Sequence, residues 1–179
     1  ILFGGLYLAL KKNKVRELLK SKTVDIVIGY ARAADGVSAK PCFIEREEDT
    51  DNLIWDAYCV YNLSGYLNDF PQKKIGISAK PCDVRAITVL LQENQLKRQD
   101  LFIIGVECSG VINEEKYYIS NKGPQEIATF ARKCKNCKPP AGAVCDILIK
   151  AKDAKVRVSQ EAGDEYESIR KMEAKSGEE

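Results

Sequence analysis

Histidine is missing altogether from this 179-residue chain, and tryptophan and methionine occur once each. The first absence removes the most chemistry, because Ser-His-Asp and Cys-His nucleophiles, His-ligated zinc and imidazole proton shuttles all need that side chain. Hydrolases of the usual kinds drop out. An excess of one charge is missing too: 28 Lys and Arg stand against 26 Asp and Glu, a net charge of +2, and no basic stripe is interleaved with aromatics. Neither nucleic acid nor an anionic membrane surface is expected as a partner on charge grounds. There is no GxGxxG loop and no Walker-type phosphate cradle. Long apolar runs are lacking as well. The opening stretch from Ile1 to Leu10 falls short of the roughly 20 residues a bilayer-spanning helix needs, so it reads as a buried lead-in segment with no membrane span.

What the chain has in quantity is cysteine, at positions 42, 59, 82, 108, 134, 137 and 145. The count is odd, no signal peptide is recognisable, and the chain is larger than the usual disulfide-stapled scaffold. Reduced thiols in a cytoplasmic setting are expected, not a disulfide framework. With 45% hydrophobic residues the length suits one main domain. Because the chain opens on Ile1 and closes on the charged, helix-like stretch from Glu165 to Glu173, it is expected to be part of something longer. We place an α/β domain at 1–150 and a charged helical tail, or linker to a missing segment, at 151–179.

Periodicity predicts an α/β fold with a mainly parallel sheet and flanking helices. Lys11 to Lys20 carries Val15, Leu18 and Leu19 at helical spacing. Val24 to Tyr30 reads as a buried strand and Cys42-Phe43-Ile44 as a short one. Asp51 to Phe70 looks helical with an interruption near Cys59. The clearest unit is βαβ: a strand from Lys74 to Ala79, a helix from Pro81 to Lys97 with Val84, Ile87, Leu90 and Leu91 on one face, and a strand from Leu101 to Val106. A helix from Pro124 to Lys133 and a strand from Asp146 to Ile149 follow. The pentapeptide Ser38-Ala39-Lys40-Pro41-Cys42 recurs at Ser78 to Cys82, but five residues are far below a repeat unit of roughly 20, so the match reads as coincidence.

This topology gives the cysteines a meeting place at the carboxyl edge of the sheet. Cys82 falls near the start of the crossover helix, where backbone N–H groups and the helix dipole favour a thiolate. Cys108 follows the neighbouring strand, so parallel strands bring both to the edge where ligands gather in open α/β sheets. Packing is the alternative role for each. Cys134-Lys135-Asn136-Cys137 is a CxxC pair able to aim two sulfurs at one metal or cluster; it would also serve as a zinc knuckle, a dithiol redox pair or two unrelated thiols. Together with Cys82 and Cys108 it makes four thiolates, the set for a 4Fe-4S cluster or a four-cysteine zinc site. A helix running straight on from the Cys108 strand would deliver the CxxC pair to the opposite edge. An antiparallel return through Lys116 to Ser120 would correct this. Cys59 stands among aromatics as a fifth ligand candidate or a core cysteine, and Cys42 and Cys145 read as packing residues.

Lys80-Pro81-Cys82-Asp83-Val84-Arg85-Ala86, then Ile103-Ile104-Gly105-Val106-Glu107-Cys108-Ser109-Gly110, then Cys134-x-x-Cys137 and Asp146-Ile147 resemble, in order and spacing, the beta-subunit family of coenzyme F-420 hydrogenases and dehydrogenases. The resemblance covers roughly Val24 to Ile149. It implies an iron-sulfur oxidoreductase subunit, in many members also a flavoprotein with FAD. Such subunits pass electrons between a hydride carrier and partner hydrogenase, formate dehydrogenase or related redox subunits. Carried over by position, it makes Cys82, Cys108, Cys134 and Cys137 the candidate ligands of a 4Fe-4S cluster, with Cys59 in reserve, and makes 1–150 the iron-sulfur domain. It assigns no residues to FAD, and no ferredoxin-like segment with paired cluster motifs is present. The competing reading is a non-catalytic interaction module with a structural four-cysteine zinc site.

Overall fold

The computed structural model of the chain describes residues 3–108, 110–113, 131–134, 137, 144–149 and 156–158. Helix α1 spans Phe3–Lys20 and α2 spans Pro81–Gln92; the strands are β1 (Ile26–Arg32), β2 (Ala39–Ile44), β3 (Ile75–Ala79), β4 (Leu101–Val106), β5 (Ile147–Ile149) and β6 (Val156–Val158). They form one sheet in the order β2-β1-β3-β4-β5-β6. The inner pairs are parallel, and β2 and β6 close the two edges antiparallel. The expected α/β fold with a mainly parallel sheet is what the chain adopts. The inner strands are apolar and buried along nearly their whole length, as strands covered on both faces must be. Pro41 lies in edge strand β2, where its missing N–H leaves no ladder bond unmade.

The two faces have different covers. Val15, Leu18 and Leu19 of α1 pack with Val27, Ile44, Leu53 and Ile104 on one side. On the other, Val84 and Ile87 of α2 join Leu63 and Leu67 against Ile28, Tyr30, Ile77 and Ile103. Because β3 and β4 run parallel around α2, their carboxyl ends share an edge, and Cys82 and Cys108 both follow directly from it.

Three expectations need correction. The crossover helix ends at Gln92, well before Lys97, because Asn94 turns left-handed at φ 56° and the N–H groups of Asn94 and Gln95 close back on Leu91 and Leu90. The stretch from Asp51 to Phe70 is not α-helical. It holds 3-10 turns at Glu47–Asn52 and Leu63–Asp69, since Asp56 and Asn62 draw the N–H groups of Tyr58 and Ser64 to their own side chains. The described end of the helix predicted from Pro124 is a 3-10 turn at Arg132–Cys134; residues 124–130, like the return strand at 116–120, lie outside the described residues. Strand β6, past residue 150, pairs antiparallel with β5. The repeated pentapeptide takes two unrelated conformations, edge strand at Ala39 to Cys42 and a strand-to-helix turn at Ser78 to Cys82.

Gly105 is a close approach in the sheet: a Cβ there would lie 2.6 Å from the Cys145 Sγ and 3.1 Å from Leu148. Cys145, 5% exposed, fills the space a larger residue 105 would take. Gly105→Ala should therefore destabilise by about 1–3 kcal/mol, and Cys145→Ala in the same chain should return part of that loss. Chemical denaturation of both single variants and the double variant checks the coupling.

Lys11 was not expected to be buried, yet it is fully so, with its ammonium 4.6 Å from the Trp55 ring centroid and 3.4 Å from the Ile54 carbonyl it donates to. Burial lowers its pKa from 10.5 to about 8. The unfolded chain therefore binds more protons between these values, so the penalty is full below pH 8 and fades as pH rises from 8 to 10.5. Lys11→Met should stabilise the chain at pH 7 by roughly 3 kcal/mol. The gain should disappear by about pH 10.5 in urea unfolding run across that range.

Candidate functional site

A cavity of about 270 Å³ opens at the carboxyl edge of β3 and β4, lined by Lys80, Pro81, Cys82, Arg85, Cys108, Gly110, Val111, Lys133, Cys134 and Cys137. All four cysteines singled out by spacing and resemblance meet there, although they come from three separate parts of the chain. Pro81 at the first helical position, where no intrahelical partner is needed for its nitrogen, starts α2 and sets Cys82 on its opening turn. Cys108 is carried in by the end of β4.

The CxxC segment returns to this edge through backbone bonds. The Ile112 N–H donates to the Ala57 carbonyl (2.9 Å) and the Ala131 N–H to the Val111 carbonyl (2.8 Å), tying the two sides of the loop together. The N–H groups of Cys134 and Cys137 donate in turn to the carbonyls of Ala131 and Cys134. Donors also point at the sulfurs: the Val111 N–H lies 3.5 Å from the Cys134 Sγ, and the Arg85 guanidinium 3.9 Å from the Cys137 Sγ. Lys133 donates to the Val60 carbonyl at 3.3 Å, so one wall is pinned to the core. Three cations thus border a pocket of four thiols.

The expectation that the helix start would favour the Cys82 thiolate is corrected. Burial pushes the Cys82 thiol up and the Asp83 carboxylate adds to it, outweighing the Lys80 ammonium. Burial also raises Cys108, against the Gly110 N–H and Lys80, which pull the other way. Metal binding to such a pair would release protons.

Cys59 is not among the residues lining the cavity. It is 1% exposed in the core against Leu63 and Leu67, its sulfur accepting the Asp56 N–H at 3.5 Å, and burial pushes its thiol up to about 11. Cys42, in β2, borders a different and more open cavity with Arg32 and Asp49. Among the described residues no three Cys, Asp or Glu side chains stand close enough to share a single metal ion. None of the described helices is long and apolar enough to cross a membrane. Sequence reasoning missed Lys80, Arg85 and Lys133 as members of the site, because a lysine or arginine in a periodic pattern looks like a solvated position.

No family model matches the chain. The F420-dependent formate dehydrogenase subunit beta of Methanocaldococcus jannaschii is 34% identical over 115 residues, 62% of this chain and 28% of that protein. The F420-dependent formate dehydrogenase 1 subunit beta of Methanococcus maripaludis is 31% identical over 111 residues, 61% of this chain and 28% of the relative. Over that stretch the chain is similar to F420-dependent formate dehydrogenase beta subunits. It spans about 28% of the length of these curated relatives. The fold of this chain recurs in a chain of the F420-reducing NiFe hydrogenase complex from Methanosarcina barkeri, at a TM-score of 0.51 and 14% identity, over 64% of this chain and 40% of that one.

The site yields a prediction on accessibility and acidity. With metal absent and the protein folded, iodoacetamide at pH 8 should label the half-buried cavity cysteines before the core residue Cys59. Cys59 should stay unmodified until the pH approaches 11. Peptide mass spectrometry over a pH series reads the order.

Proposed function

We propose that this chain holds a 4Fe-4S cluster through Cys82, Cys108, Cys134 and Cys137 and serves as an electron-transfer part of an oxidoreductase complex of the F420 beta-subunit type. The observation that carries the reading is the convergence of these four cysteines on one cavity. The donor set fits the group in kind and number, since four Cys thiolates are the usual ligands of a 4Fe-4S cluster. The surroundings fit its charge: four thiolates bring negative charge, and Lys80, Arg85 and Lys133 line the same cavity. When bound, the cluster would take up and release single electrons. The chain's own residues orient the sulfurs by N–H donation, hold cations around them and cover the inner side with apolar core. Partners of this reading are other redox subunits, and the activity is that of an oxidoreductase complex, as in the relatives' names.

A structural zinc site is the weaker reading for these cysteines. Their sulfurs ring a cavity and are not gathered within reach of one ion, and a tetrahedral zinc needs four donors at about 2.3 Å.

Anaerobic reconstitution should give a brown protein with iron and acid-labile sulfide in similar amounts. Cys82→Ser should lose the cluster while keeping the fold, and Cys42→Ser, altered outside the cavity, should keep both. Zinc without sulfide in the reconstituted protein, or a full cluster in the Cys82→Ser variant, would sink the assignment.

A further inference from the structure

Lys80 is 2% exposed, and so is one of the largest fully enclosed side chains of the protein, although it carries an ammonium. Its three N–H donors meet three acceptors: the Tyr30 hydroxyl, the Tyr61 carbonyl at 2.6 Å and the Asp83 carboxylate at 3.2 Å. The ammonium also lies 4.6 Å from the centroid of the Tyr30 ring. Tyr30 is buried too, and its hydroxyl donates onward to the same Tyr61 carbonyl at 2.5 Å. Burial and the nearby Asp83 push the Tyr30 hydroxyl far up, which keeps it a neutral donor. Asp83 is fully enclosed and accepts the N–H groups of Lys80 (2.7 Å) and Leu63 (2.9 Å).

Such a pair is a poor device for stability alone. Taking both charges out of water offsets most of their attraction, and apolar residues of similar volume commonly do as well or better. The position of the pair suggests a different use. Lys80 is among the residues lining the cysteine cavity and Asp83 is not. Both charges of the pair lie near the sulfurs, the ammonium near Cys82 and Cys108 and the carboxylate near Cys82.

We propose that Lys80, locked by Tyr30, Tyr61 and Asp83, is a potential-setting residue: its ammonium puts a fixed positive charge on the cavity wall and raises the reduction potential of the cluster held there. The inference rests on the cluster reading given above. One electron delivered by a chemical reductant such as dithionite adds one unit of negative charge to the cluster, with no bond made or broken. A positive charge in a low-dielectric wall stabilises the reduced form more than the oxidised one. Removing the ammonium therefore lowers the potential, and neutralising Asp83, which leaves the ammonium uncompensated, raises it. A residue that merely held the wall together would give no such opposition of sign.

The test is an anaerobic dithionite titration of the reconstituted full chain, followed by visible absorption and electron paramagnetic resonance. Wild type is compared with Lys80→Met, Lys80→Arg and Asp83→Asn. Lys80→Met should shift the midpoint to more negative potential, Asp83→Asn to more positive, and Lys80→Arg, which keeps the charge, should remain near wild type. A Lys80→Met protein with a full cluster at an unchanged midpoint overturns the inference and leaves the cluster reading intact. If Lys80→Met does not fold, Asp83→Asn decides: a midpoint unchanged or more negative overturns it equally. A wild-type chain that binds no cluster overturns the cluster reading and this inference with it.

Discussion

Much of this structure hangs on Asp83. One enclosed carboxylate accepts the N–H of Lys80 at the end of β3, accepts the N–H of Leu63 from a 3-10 turn 20 residues earlier, and faces the Lys80 ammonium. The Lys80 ammonium in turn reaches Tyr30 of β1 and the carbonyl of Tyr61. A single side chain thereby joins two strands, the start of α2 and the turn that covers the same face of the sheet. Each bond is in a dry environment, where a satisfied polar group is held firmly and an unsatisfied one is expensive. Cys82 sits between Lys80 and Asp83 in sequence, so this network also decides where its sulfur is held.

The chemistry of the cavity follows from scarcity as much as from supply. With no histidine anywhere in the chain, the ligating side chains left for a soft metal are thiolates, and thiolates are what the carboxyl edge collects. Burial raises the thiols of Cys82 and Cys108, which favours their protonated form when no metal is bound. The cations on the wall are of two kinds. Lys80 is enclosed and fixed, whereas Arg85 and Lys133 are exposed and feel salt and solvent far more strongly. Of the three, the enclosed Lys80 is the one least screened by solvent.

The buried lysine pair, Lys11 and Lys80, shows how differently one residue type is treated on the two faces of the sheet. Lys80 has three oxygen acceptors and an anionic neighbour. Lys11 has a ring face and one distant carbonyl, and burial drops its pKa to about 8. The contrast is one of hydrogen-bond satisfaction, since both are equally hidden from water.

Local sequence determined the βαβ core. A β-branched apolar run, Pro at the first helical position and apolar residues at three-to-four spacing act over a few residues, and Ile75–Ala79, Pro81–Gln92 and Leu101–Val106 obey them. Parallel pairing then placed Cys82 and Cys108 on one edge, which is why half of the candidate site was legible without coordinates. The stretch around Cys59 was not, because Asp56 and Asn62 compete for backbone N–H groups that periodicity assigns to a helix. The end of α2 was missed for a related reason, a left-handed Asn94 that no apolar spacing announces. The return of Cys134 and Cys137 to the Cys108 edge, the withdrawal of Cys59 into the core and the burial of Lys80 all depend on contacts between residues far apart in the chain. Tertiary structure alone decides these, because whether a cysteine is a ligand or filler, and whether a lysine is solvated or enclosed, is a property of its neighbours in space and not of its own side chain.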